Sequence, residues 1–259
     1  MKLTGKTILI TGGTSGIGRE LARQLLLRGN TVLVTGRDQA KLDAAARDLP
    51  GVHTFRSDAS DAGAIAALHA EVLARFPGLD VLINNAGVMR NIDLNQTRDL
   101  GDITREIEIN LCGPVRMVQQ FLPHLKTRKD AMIINVSSGL AFIPLPISPI
   151  YCATKAAMHS YTQSLRVQTQ DSDVTVIELA PPGVETPLFR GEFEQEMKGQ
   201  KAMGVTDFVN RALAGIEAGK LEIRPGLANV LKLMSRIAPH FMLTQLAKAS
   251  KPSAKTASN

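Results

Sequence analysis

Between Thr7 and Arg28 the chain runs from a short apolar stretch, Thr7-Ile8-Leu9-Ile10, through the turn Thr11-Gly12-Gly13-Thr14-Ser15-Gly16-Ile17-Gly18, into a helical pattern over 16–28. Strand, glycine turn and helix in that order form the opening unit of a doubly wound α/β fold. The first glycine, Gly12, permits the tight turn. The second, Gly16, lets a pyrophosphate approach the backbone, and the third, Gly18, lets the helix pack closely on the strand. A glycine-rich turn alone also suits an ordinary tight loop. Its position between a buried strand pattern and a helix start selects the dinucleotide-binding reading.

The unit then repeats. Strands are predicted at Thr31–Thr35, Val52–Ser57, Val81–Ile83, Ala131–Val136 and Val174–Leu179, with helices over 62–75, 103–125 and 150–170 between them. Such alternation implies a parallel sheet of about seven strands with helices on both faces and ligands at the carboxyl ends of the strands. Asp58 and Asn84-Asn85-Ala86-Gly87 fall at such ends, where a helix cap and a turn are the competing readings. Gly113-Pro114 inside the third helical pattern predicts an irregularity three residues after Asn110. A proline there removes a helix hydrogen bond and frees a nearby group to hold water.

Two positions bear on chemistry. At the end of the second strand, where an acidic side chain would hold ribose hydroxyls, the chain has Gly36 followed by Arg37. An arginine fork suits a 2′-phosphate, so NADP(H) is expected ahead of NAD(H), and Asp38 is expected to cap the next helix. The stretch from Ser138 to Lys155, SGLAFIPLPISPIYCATK, brings a hydroxyl together with Tyr151 and Lys155 one helical turn apart. An ammonium held beside a phenol favours the phenolate and lowers its pKa toward neutrality; an ordinary surface pair is the alternative.

Thr11-Gly12-x-x-x-Gly16-Ile17-Gly18, Asn84-Asn85-Ala86-Gly87, Asn110, Ser138 and Tyr151-x-x-x-Lys155, taken together and in this order, resemble the motif set of the single-domain short-chain dehydrogenase/reductases. The likeness covers about residues 3 to 225. Asn91-Ile92-Asp93-Leu94, Ser137 to Phe142, Ala180-Pro181-Pro182 and Glu222-Ile223-Arg224 make it most similar to the DltE-like oxidoreductases of that family. The resemblance implies a Rossmann-type fold. It also implies that Tyr151 exchanges the proton, Lys155 holds the nicotinamide ribose, Ser138 positions the substrate oxygen and Asn110 holds a relay water. The cofactor would be bound by Gly12, Thr14, Ser15, Gly16, Ile17, Gly18, Arg37, Asp58, Asn85, Ala86, Gly87, Tyr151, Lys155, Val184 and Thr186. Ser137 competes with Ser138, which the spacing to Tyr151 favours. Pro182 stands where the family carries glycine, and Ser15 where many NADP-dependent relatives carry a basic residue.

Leu140, Phe142, Ile143, Pro144 and Leu145, with Leu188, Phe189, Phe193, Met197 and Met203, are expected to border the substrate pocket. No Arg or Lys lies between Ser138 and Tyr151 to anchor a carboxylate, so a hydrophobic ketone, aldehyde or alcohol is expected. The alternatives are a nucleotide-binding regulator without turnover and a membrane-surface protein. No run of about 18 apolar residues is present, which predicts no transmembrane segment, and the two cysteines fit a reducing compartment, so a cytoplasmic protein is expected. The five histidines lack ligand spacing, and no metal is expected.

The formal charge of +6 is concentrated at the end of the chain. From Lys220 onward seven basic residues face one acid, Glu222, while the preceding 219 residues balance. With no Trp and two Tyr, a nucleic-acid surface is not expected. Residues 1–225 are read as one catalytic domain, 226–249 as an apolar and basic helical extension, and 250–259 as a disordered tail. The extension is expected to dock on its own domain or on a second subunit of a homodimer or homotetramer, ahead of covering the pocket or lying on an anionic bilayer.

Overall fold

In the computed structural model, residues 1–193, 196 and 200–250 are described. Seven strands form one parallel sheet: β1 (Thr7–Thr11), β2 (Thr31–Gly36), β3 (His53–Arg56), β4 (Leu79–Asn84), β5 (Ala131–Val136), β6 (Val174–Leu179) and β7 (Glu222–Ile223). Their spatial order is β3-β2-β1-β4-β5-β6-β7, so the chain reverses its direction of growth between β1 and β4. A crevice opens there at the carboxyl ends of the strands, the place where such sheets take ligands.

Successive residues of a strand point to opposite faces, and here both faces are buried. Ile8, Ile10, Val32, Val34, Val81, Ile83 and Ile134 pack under α1 (Gly16–Leu27) and α8 (Val205–Glu217). On the other face, Leu9, Leu33, Leu82, Ile133 and Val176 pack under α3 (Ala62–Arg75), α5 (Gly113–Leu125) and α6 (Pro149–Gln168). That double burial is why the central strands read as continuous apolar runs rather than alternating ones. Phe121, fully buried on α5, makes the second face sensitive to truncation; Phe121→Ala would cost about 3–5 kcal/mol. The remaining helix of the first half, α2 (Gln39–Asp48), starts at Asp38, whose carboxylate accepts from the Lys41 amide at 3.2 Å. The cap of α3 is Asp61, which accepts from Gly63 N and Ala64 N, not Asp58.

The long helical pattern before β5 is divided. α4 (Leu100–Ile107) passes into a π-helical turn, Glu108–Cys112, and α5 begins at Gly113. Pro114 cannot donate, so the Asn110 carbonyl lacks the i+4 N–H that a regular helix would give it. The irregularity is a widened turn rather than a simple kink.

After β6 come the short α7 (Pro187–Arg190), α8 and β7, then α9 (Leu227–Ile237) and α10 (Pro239–Ala249). α9 packs Ala228 and Leu231 against the 3-10 turn Gly139–Ala141 that follows β5. Residues 251–259, most of the expected disordered tail, lie outside the described residues.

Candidate active site

The glycine turn is held shut by its neighbours. Asn85 Nδ2 donates to Thr11 O at 2.9 Å and Gly12 O at 3.2 Å, and Thr11 Oγ1 accepts from Asn85 N and Ala86 N, both at 3.0 Å. Gly12 has φ 66°, and a Cβ on it would sit 2.8 Å from Ala86 Cα. A Cβ on Gly18 would lie 2.4 Å from Gly12 O, so only glycine lets α1 start this close to the turn. The first turn of α1 contains no acidic residue, and Ser15 makes no side-chain cap. Its free amides and positive dipole end therefore face the crevice, which suits a pyrophosphate.

From this turn a cavity of about 690 Å³ extends in two directions. One end is polar, lined by Thr14, Gly36, Arg37, Asp38, Lys41 and Asp58. Arg37 is exposed and enters no ion pair among the described residues. Lys41, one turn into α2, adds a second cation that the sequence reading missed; helical spacing from Asp38 would have placed it on this side. Asp58 accepts from Ser60 N at 2.9 Å and Ser60 Oγ at 2.7 Å. Those bonds hold its carboxyl below the usual range, with Arg37 and Arg105 adding to the effect against the opposing pull of burial.

At the middle of the cavity Ser138, Tyr151 and Lys155 converge. β5 delivers Ser138 at its carboxyl end, and α6 carries the other two on one face. The start of α6 is fixed by Ser148 Oγ, which donates to Arg90 O at 3.0 Å, and by Ile92 N, which donates to Ile147 O at 2.9 Å. Burial pushes the Tyr151 phenol above its ordinary value, and the Ser138 hydroxyl bonded to it pulls the other way. The direction is opposite to the sequence expectation. Tyr151 is 7% exposed, so desolvation of the phenolate dominates, and Cys152 and Glu106 push the same way; the Lys155 ammonium lies 5.5 Å from the ring centroid. Lys155 is itself buried and pushed down to about 8. Its Nζ donates to Val136 O at 2.9 Å, and its other donors have no protein partner among the described residues. They are available to ribose hydroxyls along the cavity.

Asn110 does not offer its side chain to the cavity. Its amide exchanges two 2.8 Å bonds with the Val88 backbone and donates to Thr154 Oγ1 at 3.2 Å, and Thr154 in turn donates to Tyr151 O. Ser137 is also committed elsewhere. Its hydroxyl donates to the buried Glu178 carboxylate, whose other oxygen meets His159 Nδ1 at 2.7 Å, so of the two serines Ser138 is the one joined to Tyr151. His159, Glu178 and Glu222 bring ligand-type atoms together, a cluster the scattered histidines gave no sign of; Arg224 and Lys232 pair with Glu222 there.

Of the remaining expected positions, Thr14, Ser15, Gly16, Ile17, Ala86, Gly87, Val184 and Thr186 line the cavity, as does Pro182. Pro181 O accepts from Gly139 N at 2.8 Å, which ties this strand end to the loop bearing Ser138. Thr186 Oγ1 donates to Val184 O at 3.1 Å and accepts from Phe189 N at 3.3 Å.

The other end of the cavity is largely apolar, with Gln200 and Lys201 also on its wall. Leu140, Leu145, Leu188, Phe189 and Met203 line it as expected, and Met89, Leu227, Leu231 and Leu246 join them from β4's loop, α9 and α10. Phe142, Ile143, Pro144 and Phe193 do not line it. Phe142 stacks edge-on against His159 and under Lys232, and Phe193 is buried with Leu145, Tyr151 and Cys152. Met197 lies outside the described residues.

Comparison with known proteins places this geometry in context. A family model described as short chain dehydrogenase matches residues 6–197. The chain is 43% identical over 224 residues to the uncharacterized oxidoreductase DltE of Bacillus subtilis, covering 86% of this chain and 89% of that protein. A short chain dehydrogenase from Burkholderia cenocepacia, solved in complex with NADP, superposes with a TM-score of 0.82 at 26% identity, covering 95% of this chain and 99% of that one. A 3-ketoacyl-(acyl-carrier-protein) reductase from Brucella melitensis, complexed with NADH, gives 0.75 at 27% identity, covering 83% and 91%.

Proposed function

Because this chain belongs to the short-chain dehydrogenase family, we propose that it is a nicotinamide-dependent oxidoreductase that interconverts a hydrophobic ketone or aldehyde and the corresponding alcohol, with NADP(H) preferred over NAD(H). The observation that carries this reading is the meeting of Ser138, Tyr151 and Lys155 in one cavity that runs from the glycine turn to an apolar end.

In this reading the amides of the glycine turn and the α1 start hold the pyrophosphate, and Arg37 with Lys41 meets the 2′-phosphate as charge-assisted donors. The Lys155 donors that Val136 leaves over hold the ribose on the nicotinamide side, with Val184 and Thr186 beside the carboxamide. When bound, the nicotinamide supplies or accepts the hydride. Reduction leaves negative charge on the substrate oxygen, so the chain must place a proton donor and a hydrogen-bond donor at that atom. The Tyr151 hydroxyl gives the proton and Ser138 donates the second bond. A phenol is protonated at neutral pH, the form a donor needs, and burial acts in the same direction. The Asn110 carbonyl, without its helical N–H, holds the water through which Tyr151 is reprotonated. A proton relay of this kind has no use in a protein that only senses nucleotide.

The largely apolar end, where Leu140, Leu145, Phe189 and the α9 and α10 leucines outnumber Gln200 and Lys201, supports a hydrophobic substrate. Residues 1–225 act in this reading as one catalytic domain with 226–249 as a helical extension, in a cytoplasmic homodimer or homotetramer. No helix among the described residues is long and apolar enough to cross a membrane. The test is ketone-dependent oxidation of NADPH and NADH by the purified protein across a panel of aliphatic, aromatic and carboxylated carbonyls. Turnover is expected with NADPH and the uncharged members, and cofactor binding without turnover across the panel would overturn the reading.

A further inference from the structure

α9 is amphipathic in an unusual sense, because two of its faces are apolar and the domain covers only one. Ala228 and Leu231 are buried, while Leu227 is 51% exposed, Val230 44%, Leu233 57% and Ile237 67%. At 3.6 residues per turn these four span an arc of about 120°, and Phe241 is 58% exposed at the start of α10. Monomeric soluble proteins seldom leave so many large apolar side chains contiguous on one element.

The charge around this face decides what covers it. Arg236 and Lys248 are exposed on the same two helices. Glu222 is the one acid from Lys220 onward, against seven basic residues, and it is already paired with Arg224 and Lys232. A second copy meeting this face about a two-fold axis would bring a second Arg236 and Lys248 into the contact, and neither α9 nor α10 holds an acid to offset them. An apolar stripe bordered by cations that enter no ion pair among the described residues complements a surface that is apolar within and anionic at its rim. From these observations we infer that the outer face of α9 and α10 docks on an anionic lipid surface, reversing the order of preference that the sequence alone supports. Leu227 belongs both to this face and to the wall of the cavity, so docking sets the apolar end of the cavity against the lipid.

The test is co-sedimentation of the full-length protein with vesicles of phosphatidylcholine alone and of phosphatidylcholine mixed with phosphatidylglycerol, and it requires no turnover. Leu233→Asp with Ile237→Asp removes the apolar part, and Arg236→Glu with Lys248→Glu the charge; none of these residues lines the cavity. Wild type is expected on the anionic vesicles and not on the neutral ones, with binding weakened by salt. Each double variant should lower the vesicle partition constant at least about fivefold; for the charge variant, one basic residue near such a surface already contributes about that factor. Melting temperature and light-scattering mass should not change. Absence of wild-type binding to anionic vesicles, equal binding to both compositions, or a fall in mass of the variants with vesicle binding retained would overturn the inference, the last by identifying a second copy as the occupant.

Discussion

Replacing Lys155 with methionine should make the protein more stable at neutral pH while ending turnover. Lys155 is 4% exposed, and burial brings its ammonium from 10.5 down to about 8. At about 1.36 kcal/mol per pH unit, that gap opposes carrying the charge in the folded protein by roughly 3 kcal/mol. Methionine keeps most of the stem and its packing but loses the Nζ bond to Val136 O, which returns about 1–2 kcal/mol. The net gain is about 1–2 kcal/mol at pH 7, or roughly 2–8 °C in Tm for a chain of this size. The sign with pH follows from the depressed value. Between about pH 8 and 10.5 the native state binds fewer protons than the unfolded one, so wild-type stability from this group rises with pH and the advantage of the variant shrinks. Urea unfolding of both proteins at pH 7 and near pH 10 measures each quantity. A variant no more stable than wild type at pH 7, or an advantage that persists unchanged to pH 10, would refute the assignment of a charged, desolvated lysine. In wild type, kcat/KM for the cofactor should be level to about pH 8 and then fall about tenfold per unit, because the free enzyme needs the ammonium.

Tyr151→Phe should abolish turnover and leave NADPH binding, read by fluorescence titration, within a few-fold of wild type; near-normal kcat would remove the phenol from the mechanism. Arg37→Ala should weaken NADPH by about 1.5–3 kcal/mol and NADH little, and equal losses in a two-cofactor titration would reduce Arg37 to a structural role. Ser137→Ala should lower stability by about 1–3 kcal/mol, because the buried Glu178 loses a donor, with kcat within a few-fold. Ser138→Ala should do the reverse, and urea unfolding with steady-state kinetics on the pair separates the two serines.

Local chemistry carried much of this protein in its sequence. Runs such as Ile8–Ile10 and Ile133–Ile134 announce strands buried on both faces, and Gly12, Gly16 and Gly18 mark backbone that side chains would obstruct, because steric demands of this kind act over a few residues. The spacing of Tyr151 and Lys155 placed both on one face of a helix for the same reason. What needed the tertiary structure were quantities that depend on everything packed around a group. Desolvation decides that the Tyr151 phenol is pushed up rather than down, and no spacing encodes burial. Phe142 follows the Ser138 loop in sequence yet turns toward His159, while Leu246, more than a hundred residues away, lines the cavity. Ser137 is removed from contention by Glu178, a neighbour supplied only by the register of β5 on β6. The apolar residues of α9 were equally visible in the sequence. Which of them are covered is decided by where the helix meets the turn at Gly139, since periodicity defines faces and only packing determines which face is left to the outside.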